Sequence, residues 1–176
     1  MKKSFCKILT CLLLVLPVTI FGQGQINGLV TYNNANENPI VGATVTVYNQ
    51  GGETVGQTIT DEAGLYKFSS LPFGNYTIEV NYNAVAGGIS LEDAFMVLQH
   101  IQGNIELTPL QFKAADVDFN GIINMHDATE IIRRYVLQLL QFEQQWVFET
   151  KNITLTGNKD GDDDVEEDSY VRGSCT

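Results

Sequence analysis

Residues 116–127 read Asp-Val-Asp-Phe-Asn-Gly-Ile-Ile-Asn-Met-His-Asp, and this stretch restricts the fold of the chain more than any other. Asp116, Asp118 and Asn120 alternate, Gly121 follows, Asn124 comes three residues later, and Asp127 closes the run. Calcium is a hard cation that takes roughly six to eight oxygen ligands, and a tight turn aims alternate side chains at one point. On this spacing Asp116, Asp118 and Asn120 offer side-chain oxygens and Ile122 its backbone carbonyl. Asn124 serves directly or through water, and Asp127 closes the site from the first turn of a helix. Gly121 allows a turn that a residue with a Cβ resists. An Asp in the last position, where a longer Glu is usual, must bring the backbone closer to the ion. A second reading needs no metal: a polar turn ahead of a helix, with Asn124 as N-cap and Asp127 at N3. Agreement at all six positions favours one calcium ion.

The 176-residue chain has room for one domain or two small ones. Residues 1–22 read as a signal peptide: Lys2, Lys3 and Lys7 precede an apolar run from Ile8 to Phe21, too short for a membrane span. Cleavage after Gly22 is expected; a retained anchor is the alternative. No lipobox precedes Cys6 or Cys11, which argues against a lipid anchor. Three of the ten basic residues and none of the 21 acidic ones lie in this leader, so the remainder carries seven bases against 21 acids, net −14. That balance disfavours nucleic acid and anionic lipid as partners. Without the leader, Cys175 is the one remaining cysteine of three, so no internal disulfide is expected. An exported domain of this kind relies on core burial, metal, or both.

Residues 23–82 read as short strands with turns between them. Leu29 and Thr31 alternate with their neighbours; so do Ala43, Val45 and Val47, then Tyr66 and Phe68, then Tyr76, Ile78 and Val80. The turn signals are 33–38, Gln50-Gly51-Gly52, Asp61-Glu62-Ala63-Gly64 and Pro72-Phe73-Gly74. An antiparallel β-sandwich is predicted. The succession Gly28-x-Val30, Pro39-Ile40-Val41-Gly42-Ala43-Thr44-Val45, Thr60-Asp61-x-x-Gly64-x-Tyr66-x-Phe68 and Leu71-Pro72-x-Gly74-x-Tyr76 resembles the carboxypeptidase regulatory-like, prealbumin-type sandwich. The resemblance implies a non-catalytic spacer or stabiliser. Asp61 is expected to cap its turn rather than to bind a ligand.

From Asn83 the periodicity becomes helical. Leu91, Ala94, Phe95, Leu98 and Ile101 form one apolar stripe, and Ala128, Ile131, Ile132, Tyr135, Val136 and Leu139 form another. Ser90-x-x-Asp93 and Asn124-x-x-Asp127 read as capping boxes. A shift of 34 residues lays Gly87 on Gly121, Ile89 on Ile123, Asp93 on Asp127 and Ala94 on Ala128. Two loop-then-helix units of EF-hand type, joined by a connector from Ile105 to Ala115, resemble a type I dockerin from about Asn81 to Leu140, and the dockerin-like domain is placed at 83–142. Arg133 stands where a basic residue is usual in that family. The first unit departs from the pattern. Its ligand positions fall on Tyr82, Ala84 and Ala86, leaving Ser90 and Asp93, which cannot hold calcium against its hydration shell. That loop is expected to be metal-free and packed, with Ile89 and Ile123 meeting in a short bridge.

The predicted fold is therefore multidomain β + α: a sandwich, then a calcium-loop/helix pair, then a C-terminal strand and acidic tail over 143–176. The resemblance implies a cohesin-like partner. The residues after each loop, Met125 and His126 or Leu91 and Glu92, are not the Ser/Thr pair familiar from such docking, and they differ between copies. A similar pairing ending in Trp-Val-Phe-Glu, here Trp146 to Glu149, occurs in large exported bacterial surface proteins. It implies intrachain packing on the sandwich as the other possibility. A secreted or cell-surface module for anchoring or assembly is expected, and the resemblance implies a polysaccharide-degrading system. The alternatives are a calcium-stiffened stalk and a carbohydrate-binding accessory module.

In the tail, Lys151 to Thr156 alternates like a strand, and Asp160 to Asp168 carries seven carboxylates. Asp160, Asp162 and Asp164 alternate, but Val165 stands where Gly is needed, so a solvated acidic run is expected. His100 and His126 lie on different helices with no nucleophile nearby. Glu92 with Asp93, or Glu130, lacks the cleft a glycosidase needs. No enzyme is predicted. Asn75-Tyr76-Thr77 and Asn152-Ile153-Thr154 are sequons. Phe95, Phe142 and Trp146 are expected in the core rather than on a sugar-stacking surface.

Overall fold

A computed structural model describes residues 23–33, 36–85, 87–137, 145–157 and 166–175. The leader, Leu139, Phe142 and the run Asp160 to Val165 lie outside the described residues.

Eight strands and three helices follow in order: β1 Gln23–Tyr32, β2 Thr44–Asn49, β3 Thr54–Ile59, β4 Leu65–Pro72, β5 Gly74–Asn81, α1 Leu91–Ile101, α2 Pro109–Ala115, α3 Met125–Leu137, β6 Trp146–Phe148, β7 Lys151–Leu155 and β8 Glu166–Cys175. The strands form two four-stranded sheets, ordered β4-β1-β8-β6 and β3-β2-β5-β7. All pairings are antiparallel except β1 with β8, which run parallel from Gln25↔Glu166 to Tyr32↔Gly173.

Period-2 alternation fills the space between the sheets. Val45 and Val47 of β2, Tyr66, Phe68 and Leu71 of β4, Tyr76 and Ile78 of β5, and Ile153 and Leu155 of β7 are buried together. In β1 the buried apolar set is Ile26 and Val30, the phase opposite to Leu29. Thr31 is buried as well, where the alternation ends. The Tyr76 hydroxyl donates to the Pro72 carbonyl, and burial pushes its pKa above the ordinary phenol value.

Turns follow the punctuation. Asp61 accepts from the amides of Ala63 and Leu65 at 2.9 Å each, which is the capping role expected of it. Gly64 sits at φ +75°, and a Cβ there would approach the Val30 carbonyl oxygen to 2.8 Å, so glycine is required twice over.

The C-terminal segment is not a separate tail. β6 and β8 lie in the first sheet, and β7 closes the edge of the second. The backbone of Glu166 to Asp168 is paired with Gln25 to Asn27 of β1. The helical segment is inserted between β5 and β6 and therefore leaves and re-enters the sandwich.

Within that segment, α1 packs on α3 through Ala94, Val97, Ala128 and Ile131. The apolar stripes are only partly used. Leu91, Phe95 and Ile101 of α1 are exposed, as are Ile132, Tyr135 and Val136 of α3. Small residues at Ala94 and Ala128 let the helices approach closely, and the larger residues on either side are left outside. Phe95, expected in the core, is 59% exposed, whereas Trp146 is buried as expected. The connector contains a helix, α2, with Thr108 as N-cap and Pro109 at N1. It lies against β6 and β8.

Candidate metal centre

The loop before α3 gathers three carboxylates. One oxygen each from Asp116, Asp118 and Asp127 lies within 4.8 Å of the other two. Asp127 is fully buried and Asp116 nearly so, while Asp118 faces solvent. Backbone amides fix all three. Asp116 accepts from Asn120 at 3.1 Å and Gly121 at 2.9 Å. Asp118 accepts from Asn120 at 3.1 Å. Asp127 accepts from Val117 at 3.1 Å and Asn124 at 2.9 Å. Gly121 supplies the reversal at φ +80°.

The other sequence-predicted positions are bound locally. The Asn120 side chain accepts from the Ile122 amide and donates to Asp118 at 2.7 Å. Asn124 accepts from the His126 amide and donates to the Ile122 carbonyl at 3.3 Å. Asn124 and Asp127 therefore form the capping arrangement that the metal-free reading required. That reading does not account for Asp116 and Asp118, whose carboxylates converge on Asp127 without serving the helix.

The donor set fits a hard divalent cation. Every group is an oxygen, and an ionised carboxylate retains acceptor capacity beyond one or two amide bonds. Opposing charge is scarce. Among the described residues the one basic group within 4.0 Å of these carboxylates is His126, with Nε2 at that distance from Asp118. Two carboxylates at 4 Å repel by about 1 kcal/mol in bulk water and by more when desolvated. A divalent ion would remove that penalty.

The first loop is built differently. Its Tyr82 ring packs edge-on against Trp146 at 5.0 Å, and the Trp146 indole N–H donates to the Ala84 carbonyl at 2.8 Å. Tyr32 and Phe148 complete the aromatic group around Trp146. The left-handed glycine is Gly88, at φ +85°, and not Gly87, the residue aligned with Gly121. Ser90 still donates from its backbone amide to Asp93 at 2.7 Å. The expected Ile89–Ile123 bridge does not form. Both side chains pack on the α1–α3 cluster, and neither residue is in a β-bridge. Position 86 lies outside the described residues.

The remaining candidates have ordinary roles. His100 stands edge-on to Phe112 at 6.1 Å and contacts the Ile105 carbonyl at 3.3 Å. Glu130 pairs with Arg133 one turn along α3. Sequence reasoning missed α2 and the role of Trp146 as a link between segments. The Thr108-Pro109-x-Gln111 pattern could have revealed the helix: it combines an N-cap, Pro at N1 and a partner at N3. Nothing in the sequence ties Trp146 to Ala84. Among the described residues no helix is long and apolar enough to cross a membrane.

Comparison with known proteins agrees with this two-part construction. Residues 25–92 match the carboxypeptidase regulatory-like domain, and residues 87–136 match the dockerin type I domain. Serine-aspartate repeat-containing protein F of Staphylococcus epidermidis is 50% identical over 44 residues, covering 25% of this chain and 2% of that protein. Bone sialoprotein-binding protein of Staphylococcus aureus is 46% identical over 46 residues, covering 26% of this chain and 4% of that protein. The chain thus spans a small fraction of the relatives it matches. Among solved structures, the minor pilin of Streptococcus agalactiae aligns over 89% of this chain and 46% of its own, at 9% identity and TM-score 0.44. Both matched families are non-catalytic modules. The chain thus joins a segment that matches the carboxypeptidase regulatory-like domain to one that matches the dockerin type I domain.

Proposed function

We propose that this chain is a non-catalytic, exported cell-surface protein whose dockerin segment binds one calcium ion and serves anchoring or assembly in a polysaccharide-handling system. The observation that carries the reading is the convergence of Asp116, Asp118 and buried Asp127 within 4.8 Å. Asp116, Asp118, Asn120, the Ile122 carbonyl, Asn124 and Asp127 are the ligands in this reading. The ion neutralises the loop and so stabilises the start of α3, which carries Ala128 and Ile131 into the helical core. Tyr82, Ala84 and Ala86 leave the first loop without ligands. Calorimetric titration of the chain with calcium tests this: one ion per chain is expected. Two equivalent sites, or none, overturn the reading.

A cohesin-like domain is the partner that the dockerin match suggests. A second reading, an intrachain structural role, is favoured by Trp146, which ties the first loop to the sandwich. A pull-down from an extracellular fraction, read for a cohesin-like domain with calcium and with chelator, separates the two. Calcium-dependent capture supports assembly. Its absence, with calcium-dependent folding intact, supports the stalk.

A further inference from the structure

The outer face of the second sheet carries a groove of about 620 Å³ that the calcium loop does not touch. Its lining comes from three adjacent strands at one level. Tyr48 of β2 pairs with Thr77 of β5, and Thr77 pairs with Asn152 of β7. These three side chains form a single rung across the sheet, about 10 Å long at the usual strand spacing. The next rung pairs Asn75 with Thr154.

The two sequons thus lie face to face and bond reciprocally. The Thr77 hydroxyl donates to the Asn152 amide oxygen at 3.0 Å, and the Thr154 hydroxyl donates to the Asn75 amide oxygen at 2.8 Å. Those bonds hold both amides in fixed orientation and leave their NH2 groups as donors at the groove surface. Tyr48 adds a half-buried aromatic ring at one end of the rung.

The groove selects by chemistry. In a strongly acidic chain, Glu79 is the single charged side chain lining it among the described residues. Its polar groups are amides and hydroxyls set beside the apolar surface of Tyr48, with no cation among the lining residues, so an anion is not matched. An extended peptide adding to the sheet would lie along the β7 edge, whereas this groove runs across the strands. A neutral polyhydroxylated chain satisfies all three features: hydroxyls for the amides, an apolar ring face for Tyr48, and a length that spans several strands. We propose that this face binds a neutral oligosaccharide chain, with Tyr48 as the platform for a sugar ring and the Thr77–Asn152 and Asn75–Thr154 pairs as its hydrogen-bonding partners.

Native electrophoresis of the full chain through gels containing xyloglucan, galactomannan, mixed-linkage glucan, arabinan or glycogen, with polygalacturonate as the acidic comparison, tests the proposal. At least one neutral polysaccharide should retard the protein. Tyr48→Ala and Asn152→Ala should each weaken that retardation about tenfold, while Lys67→Ala on the other sheet leaves it unchanged. If Tyr48→Ala melts early, Asn152→Ser carries the comparison, because its site faces solvent on an edge strand. The proposal falls if no neutral polysaccharide retards the chain, if only the acidic polymer does, or if the groove variants bind like the parent. Calcium titration of the same samples reports on the loop separately, so failure of one claim is distinguishable from failure of the other.

Discussion

The two loops of the helical segment follow one 34-residue spacing and are held in different ways. The loop before α3 keeps three convergent carboxylates and a left-handed Gly121. The loop before α1 places an aromatic ring and a backbone carbonyl against Trp146, and its reversal has moved to Gly88. One feature survives in both: Asp93 and Asp127 each accept the backbone amide of the residue three before them. A helix must satisfy its first amides whether or not a metal is near, so the capping carboxylate has a use of its own. The carboxylates of Asp116 and Asp118 accept amides within their own loop and cap no helix.

Removing the shared carboxylate from each loop separates the two roles. Asp127→Ala should have the largest effect. It strands the buried Val117 amide, at about 1–3 kcal/mol, and the half-buried Asn124 amide at less, and it should abolish calcium binding. Calorimetry and thermal melting check both. Next is an attempt to rebuild the first site with Tyr82→Asp, Ala84→Asp and Ala86→Asn. The stoichiometry should stay at one ion, because the turn there is made at Gly88. The sandwich should lose about 0.5–1.5 kcal/mol with the Tyr82–Trp146 ring contact. A second calcium would show that ligand identity, not backbone, separates the loops. Trp146→Phe should cost about 1 kcal/mol through the lost bond to Ala84 and leave calcium affinity unchanged. Asp93→Ala should cost about 0.5–1 kcal/mol as a lost cap, again without changing affinity; reduced affinity would mean that the first loop still helps to hold the ion.

How far the sequence reached depends on how local each signal is. Turn chemistry at Asp61 and Gly64, and alternation in β2, β4, β5 and β7, were legible because each is set by neighbours in the chain. The convergence of Asp116, Asp118 and Asp127 was legible for the same reason, since one loop and one helix turn bring them together. The pairing of β8 beside β1 was not, because it joins residues about 140 positions apart and its acidic composition suggests solvent. The helix faces were half legible. Periodicity marked Ala94 and Ala128, but it also marked Phe95 and Ile132, which close helix approach leaves outside. The 34-residue repeat correctly aligned the caps and misplaced the first turn by one residue, because two adjacent glycines, Gly87 and Gly88, can each make it.

Region-resolved hydrogen exchange in calcium and in chelator tests the central claim most directly. Ion binding stabilises the state that binds, by about 2.7 kcal/mol at a hundredfold excess over the dissociation constant. The account predicts that chelation lowers protection across residues 117–137 and their α1 contacts, while the strands of both sheets keep theirs, and that Asp116→Ala in calcium reproduces the pattern. Equal protection of α3 with and without calcium would contradict it.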